Sequence, residues 1–272
     1  MSDAKQFPQW GDRWRLISPI AAPGHLQMAV DAWLFQHHCA GTHPPTLRFY
    51  TWNPVAISLG YHQRRYPDTW HDLIWQDEPA DLVRRPTGGR AVLHQGDLTY
   101  AVIASGLPAN RLLAYQQLCE FLIEGWRSLG VSLYYGQAGR GYIHNPNCFG
   151  TATGADLVLP NGAKFIGSAQ LRRGNVALQH GSMRLAADST LYQQVFETKS
   201  EALVTPLEAL PAWLHDRANW QTVVDALIES AQRCWGIHLI SQPLSDQEWQ
   251  AILAISEAYK VSRCNLSGAD IL

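Results

Sequence analysis

Little in this sequence points to a scaffold held by covalent or metal cross-links. Five cysteines are scattered through 272 residues, too few for a disulfide framework in a chain of this length. None stands in a Cys-x-x-Cys pair, and no histidine lies at a zinc-like offset from a second thiol. The adjacent His37 and His38, at the end of a helical pattern, point to different faces and read as helix surface. Long apolar runs are missing too. The longest, residues 100–104 and 251–255, have five residues, far short of the ~20 that span a bilayer. Residues 1–10 mix Asp3 and Lys5 with polar side chains and carry no apolar signal segment. Charge of one sign is lacking: 21 basic and 23 acidic residues leave −2, which provides no broad field for a phosphate backbone. These absences predict a reduced, cytoplasmic, metal-free protein with neither membrane nor nucleic acid as partner.

What is present is core material, 46% hydrophobic against 16% charged, which argues against disorder. Leu26, Val30, Trp33 and Leu34 recur at helical spacing after Pro23-Gly24. Residues 47–52 and 55–59 are β-rich and split by Asn53-Pro54, which predicts two paired strands around a turn. Further strand-like runs fall at 82–83, 91–94, 98–104 and 176–180. Residues 110–128 form an amphipathic helix with Leu112, Leu113, Leu118, Leu122 and Trp126 on its apolar face. Residues 156–159 and 164–171 flank Pro160-Asn161-Gly162 as a hairpin. Beyond about residue 186 the pattern turns helical, and Ser245 with Glu248 forms a capping box. Strand clusters beside helices predict an α+β fold, with mixed or antiparallel sheets flanked by helices and a small helical extension from about residue 205.

Three islands carry candidate chemistry. Segment 84–94 reads Arg-Arg-Pro-Thr-Gly-Gly-Arg-Ala-Val-Leu-His. Gly88 and Gly89 let the backbone approach a ligand, and Arg84, Arg85 and Arg90 add positive charge; the same residues also suit a hairpin turn with a solvated basic rim. Cys148 lies in the turn-rich stretch 136–154, where a thiol gains little from packing, whereas Cys39, Cys119 and Cys234 suit burial in helices. The third island is Lys164-Phe-Ile-Gly-Ser-Ala-Gln170 with His180-Gly-Ser182. Strand alternation places Lys164, Ile166 and Ser168 on one side. Lys164 there is either a surface lysine or an ammonium that stabilises a nearby thiolate.

In order and spacing these islands, with residues 47–52 and 58–63, resemble the lipoate–protein ligase and octanoyltransferase superfamily, related in fold to the biotin ligases. Cys148-Phe149 before the lysine strand resembles its cysteine-dependent octanoyltransferase branch. The resemblance implies a catalytic unit over 14–204 with the helical extension, 205–272, packed on it. It implies Cys148 as the acyl-thioester nucleophile and Lys164 as the lysine that lowers its pKa. Arg85, Gly88, Gly89, Arg90, His94, Gly167, Ser168, Ala169, His180, Gly181 and Ser182 match substrate-binding positions. The implied donor is octanoyl-acyl carrier protein, and the acceptor a lysine of a lipoyl domain or of the glycine-cleavage H protein. No cofactor is needed because the donor is already activated; ATP and Mg²⁺ enter only for a lipoate ligase. Arg84, Arg85, Arg172 and Arg173 are candidates for docking an acidic carrier, and the eleven tryptophans are candidates for lining an acyl slot or for plain core.

Overall fold

A computed structural model describes residues 11–136, 156–186, 188–197 and 210–263. In chain order it contains β1 (Arg13–Ala22), α1 (Gly24–Cys39), β2 (Thr46–Trp52), β3 (Ala56–Leu59), β4 (Ile74–Trp75), β5 (Glu78–Pro79), β6 (Asp81–Arg84), β7 (Val92–His94) and β8 (Asp97–Ser105). After these come α2 (Arg111–Ser128), β9 (Tyr134–Tyr135), β10 (Leu157–Val158), β11 (Lys164–Arg173), β12 (Val176–Arg184), α3 (Ser189–Phe196), α4 (Trp220–Trp235), β13 (His238–Ser241) and α5 (Asp246–Ser256). Among the described residues, eight strands form one mixed sheet in the order β13-β1-β2-β8-β12-β11-β10-β9. A three-stranded sheet, β6-β3-β7, lies apart from it, and β4 pairs with β5.

Helices cover both faces of the large sheet. On one face Phe49, Tyr100 and Val102 pack with Leu118, Leu122 and Leu227 of α2 and α4. On the other, Tyr50, Ala101 and Ile103 pack with Met28, Leu34 and Ile252 of α1 and α5. Every residue of β8 and β12 is buried, as expected of central strands covered on both sides. Gly125 lets α2 and α4 meet closely: a Cβ there would lie 2.7 Å from Leu227 Cδ2. The smaller sheet packs against α1 through Val83 and has its own core with α3, in which Ile57, Leu82 and Leu191 are buried. The site lies between the α1 face of the large sheet and this smaller one.

Four expectations change. Strands β2 and β3 do not pair. β2 lies between β1 and β8, while β3 pairs with β6 and β7, because both edges of β2 are taken by strands distant in sequence. Leu112 and Leu113 are about half exposed; they sit in the first turn of α2, ahead of the stretch that reaches the core. His38 is buried, with Nδ1 2.8 Å from the His43 carbonyl oxygen, since the chain folds back over the end of α1. The segment after 205 also carries a strand, β13, which extends the large sheet in parallel with β1.

Candidate active site

The glycine turn is organised from below by Arg85. This side chain is 4% exposed and donates to the carbonyl oxygens of Ser58 (2.8 Å), Gly88 (2.8 Å) and Arg90 (2.7 Å). Arg84 likewise donates to the carbonyls of Gly60 (3.0 Å) and Gln63 (2.7 Å). Their charges therefore bind backbone, and Arg85 is too buried to dock a carrier protein. Arg172 donates to the Pro108 carbonyl at 2.8 Å, and Arg173 lies over the Phe35 ring at 5.8 Å. Gly89 has φ +95°, in the region that favours glycine. Gly60 sits so close beneath it that an added Cβ would collide with the Gly89 carbonyl.

A cavity opens between the two sheets. Its apolar wall includes Met28, Tyr50, Trp52 and Val92. Its polar wall brings together Arg85, Gly89, His94, Lys164, His180 and Ser182 from segments far apart in sequence. Gly167 and Ala169 of β11 lie opposite Ser182 and His180 of β12, and all four border the cavity. Ser168 and Gly181 also border it, but the Ser168 hydroxyl bonds to Tyr100 OH at 2.9 Å, a residue of the α2-side core. Gly88 faces a neighbouring groove with Arg111 and Arg172, and Arg90 offers its carbonyl to Arg85. Of the eleven tryptophans, Trp52 borders the cavity, while Trp14, Trp126, Trp220 and Trp235 belong to the core.

Two Asp–His–hydroxyl chains run beneath the cavity. In the first, His94 Nδ1 lies 2.8 Å from Asp97 Oδ2 and its Nε2 2.8 Å from Ser58 Oγ. The His94 ring stacks on Trp52 at 3.7 Å, and Trp52 Nε1 donates to Thr99 Oγ1 at 2.8 Å. Burial is the largest influence on His94 and pushes its pKa below the ordinary value, against the opposing pull of Asp97. In the second chain, His180 bridges Asp31 Oδ2 (2.7 Å) and Thr87 Oγ1 (2.6 Å). Asp31 also binds Arg48 at 3.0 Å and Tyr50 OH at 3.0 Å.

Lys164 is 7% exposed, and its Nζ lies 2.9 Å from Asp156 Oδ1. Strict alternation fails here. The pairing of β10 with β11 shifts register between Leu157 and Val158, so Phe165 and Ile166 both enter the α2-side core while Lys164 reaches the cavity. A bulge produces this re-aiming of a side chain, and it separates Lys164 from Ile166, while Ser168 borders the same cavity. Cys148 lies outside the described residues. The thiols of Cys39, Cys119 and Cys234 are all pushed up by burial, that of Cys119 to about 12, so none of these three is a ready thiolate. Among the described residues no His/Cys/Asp/Glu cluster could hold a metal ion, and no helix is long and apolar enough to cross a membrane.

The family model for the lipoyl protein ligase A/B catalytic domain matches residues 23–232. The chain belongs to that family. Similarity to the octanoyltransferase LipM of Kyrpidia tusciae is 37% identity, covering 93% of this chain and 98% of the relative. For the Bacillus subtilis octanoyltransferase LipM it is 31%, covering 90% and 95%. Among solved structures, a bi-partite lipoate protein ligase studied with its E2 lipoyl domain from Thermoplasma acidophilum superposes with a TM-score of 0.70 at 20% identity, covering 96% and 99% of the two chains. A lipoate-protein ligase A bound with ATP gives 0.71 at 20%, covering 90% and 94%. These superpositions establish the family's fold for this chain, with its mixed sheet and flanking helices.

Reading the residues singly missed several groups of this candidate site. Asp156, Asp31, Asp97, Ser58 and Thr87 each bond directly to Lys164 or to a site histidine. A signal existed for two of them. Asp31 is a carboxylate inside the apolar run of a helix, and Asp97 follows His94 at three residues across a tight Gln95-Gly96 turn.

Proposed function

We propose that this chain transfers an octanoyl group from octanoyl-acyl carrier protein to a lysine of a lipoyl domain or the glycine-cleavage H protein, through a thioester on Cys148, as a cytoplasmic step of lipoate biosynthesis. The near full-length similarity to octanoyltransferases carries this reading, and the chain is accordingly an acyltransferase. The residues fit that chemistry. A cysteine nucleophile splits transfer into thioester exchange and aminolysis, two steps of similar energy that need no ATP. Lys164, held in the cavity by Asp156, supplies a fixed positive charge for a thiolate or a developing oxyanion. The wall of Met28, Trp52 and Val92 suits an aliphatic tail, worth about 0.8 kcal/mol per buried methylene.

Incubating the purified protein with octanoyl-acyl carrier protein, without nucleotide, and measuring its intact mass tests the proposal. The expected result is a covalent octanoyl adduct that Cys148→Ser abolishes, and that transfers to a lipoyl domain when one is added. Turnover that requires ATP and forms no adduct would identify a ligase. No turnover under either condition would identify a binding protein.

A further inference from the structure

We propose that the groove beside the glycine turn is where the octanoyl donor docks, its basic rim meeting the acidic face of acyl carrier protein. The inference rests on the acyl-transfer reading and gives the donor of that reaction a surface on this chain. Tyr61, His62 and Gly88 border the groove together with Arg111 and Leu112 of α2 and Arg172 of β11. Its loops are held in place. Tyr61 donates its N–H to the Thr87 carbonyl at 2.8 Å, Arg84 binds the carbonyls of Gly60 and Gln63, and Arg172 binds that of Pro108 ahead of α2. The groove also adjoins the cavity. Gly88 borders the groove and Gly89 the cavity, and on β11 Ala169 borders the cavity and Gln170 the groove. A thioester on a flexible arm laid along the groove therefore passes a single residue of each element to enter the cavity.

Charge selects the partner. The stretches that contribute to this face, residues 60–66, 84–90, 106–119 and 168–173, hold eight arginines and no aspartate or glutamate, in a chain whose net charge is −2. Exposed cations elsewhere have carboxylate partners: Arg127 has Glu124, Arg233 has Glu229 and Arg263 has Asp72. Arg111 is exposed and has no hydrogen-bond or ion-pair partner among the described residues. It also stands in the first turn of α2, where the helix dipole disfavours a cation. A positive charge kept there against the dipole, with nothing in the fold to balance it, suits an anion supplied from outside. Leu112 and Leu113, which follow it, are about half exposed and give the contact an apolar centre.

The same charge pattern argues against the acceptor as occupant. A lysine side chain brings an ammonium, which Arg111 and Arg172 would repel with no carboxylate beside them to offset it. The donor brings the opposite sign twice, in the acidic surface of the carrier and in the phosphodiester at the root of its arm. On α2 the acidic residues Glu120 and Glu124 line a separate groove with Leu113 and Tyr135, away from the glycine turn.

The test measures binding of acyl carrier protein whose octanoyl group is joined by an amide in place of the thioester, so that no transfer follows. Arg111→Glu should weaken binding by about tenfold or more, and Arg111→Lys should retain most of it. A carboxylate in the first turn favours the helix, so the loss would not reflect unfolding. Arg233→Glu makes the same change of charge outside the groove and should alter affinity by less than about twofold. Raising salt should weaken wild-type binding steeply and Arg111→Glu binding less so. Equal weakening by the two charge reversals, or none by Arg111→Glu, overturns the assignment. So does weakening seen with a lipoyl domain and not with the carrier, which would make the groove the acceptor's. Wild-type protein that does not bind the octanoylated carrier at all defeats the donor reading itself, a failure visible before any variant is made.

Discussion

Single residues at this site act mostly through what they hold in place. Arg85 has the appearance of a ligand-binding cation, and its guanidinium donates to three carbonyls around the glycine turn and to Ser58 Oγ, so it holds the shape of the turn. Gly60 has a comparable role, because the Gly89 carbonyl fills the space where a side chain would begin. Gly60→Ala must push the turn away from the cavity. Misplacement of about 1 Å costs on the order of 100-fold in rate, so single-turnover octanoyl transfer by this variant should fall by roughly that factor, with circular dichroism unchanged. Unaltered kinetics would show that the turn does not set the reaction geometry. Chemically prominent residues (the arginines, Gly-Gly, His94, Lys164 and His180) are visible in the sequence. Their partners Ser58, Thr87 and Asp156 are not, because nothing local marks a hydroxyl or a carboxylate as the one that a given histidine or lysine will meet.

Among the elements, α5 shows how a local motif acquires a long-range role. Ser245 and Glu248 form the capping box, both halves of which are present. Glu248 also accepts two bonds from Arg15 of β1, at 2.6 and 2.9 Å. Burial alone disfavours its charge, but the bonds from Arg15 and Ser245 outweigh that and hold the carboxyl at about 2. An unperturbed glutamate titrates at 4.5. A depressed native pKa contributes stability that is fully present above the unfolded value and is lost as pH falls through the folded one. Stability should therefore decline between about pH 4.5 and about pH 2 in a step that Glu248→Gln removes, followed by urea unfolding across that range. A wild-type and variant pair with parallel pH dependence would place the acid-sensitive group elsewhere. Helix existence follows from periodicity and caps such as this one, whereas strand partners do not. β2 and β3 look like a hairpin in the sequence and belong to different sheets.

At the scale of the whole molecule, the C-terminal segment completes the fold. β13 extends the large sheet beside β1, α4 packs on α2 at Gly125 and Leu227, and α5 covers α1 with Ile252 buried in that core. A chain ending after Gly236 should lose hydrogen-exchange protection in β1 and α1 and melt roughly 10 °C or more lower. Retained protection would mark the segment as an independent appendage. The sequence by itself determined the α+β class, the positions of α1, α2, α4 and α5, and the three chemical islands that resemble the family. Each of these depends on spacing within a short window or on residue types in a given order. Tertiary structure alone decided which strands are neighbours, that a bulge would aim Lys164 into the cavity beside Asp156, and that Asp31 of α1 would meet His180 of β12. Strand neighbours and the Asp31–His180 pair come from distant stretches of the chain, and the direction in which Lys164 points depends on the register shift between β10 and β11, so each of these needs the assembled sheets.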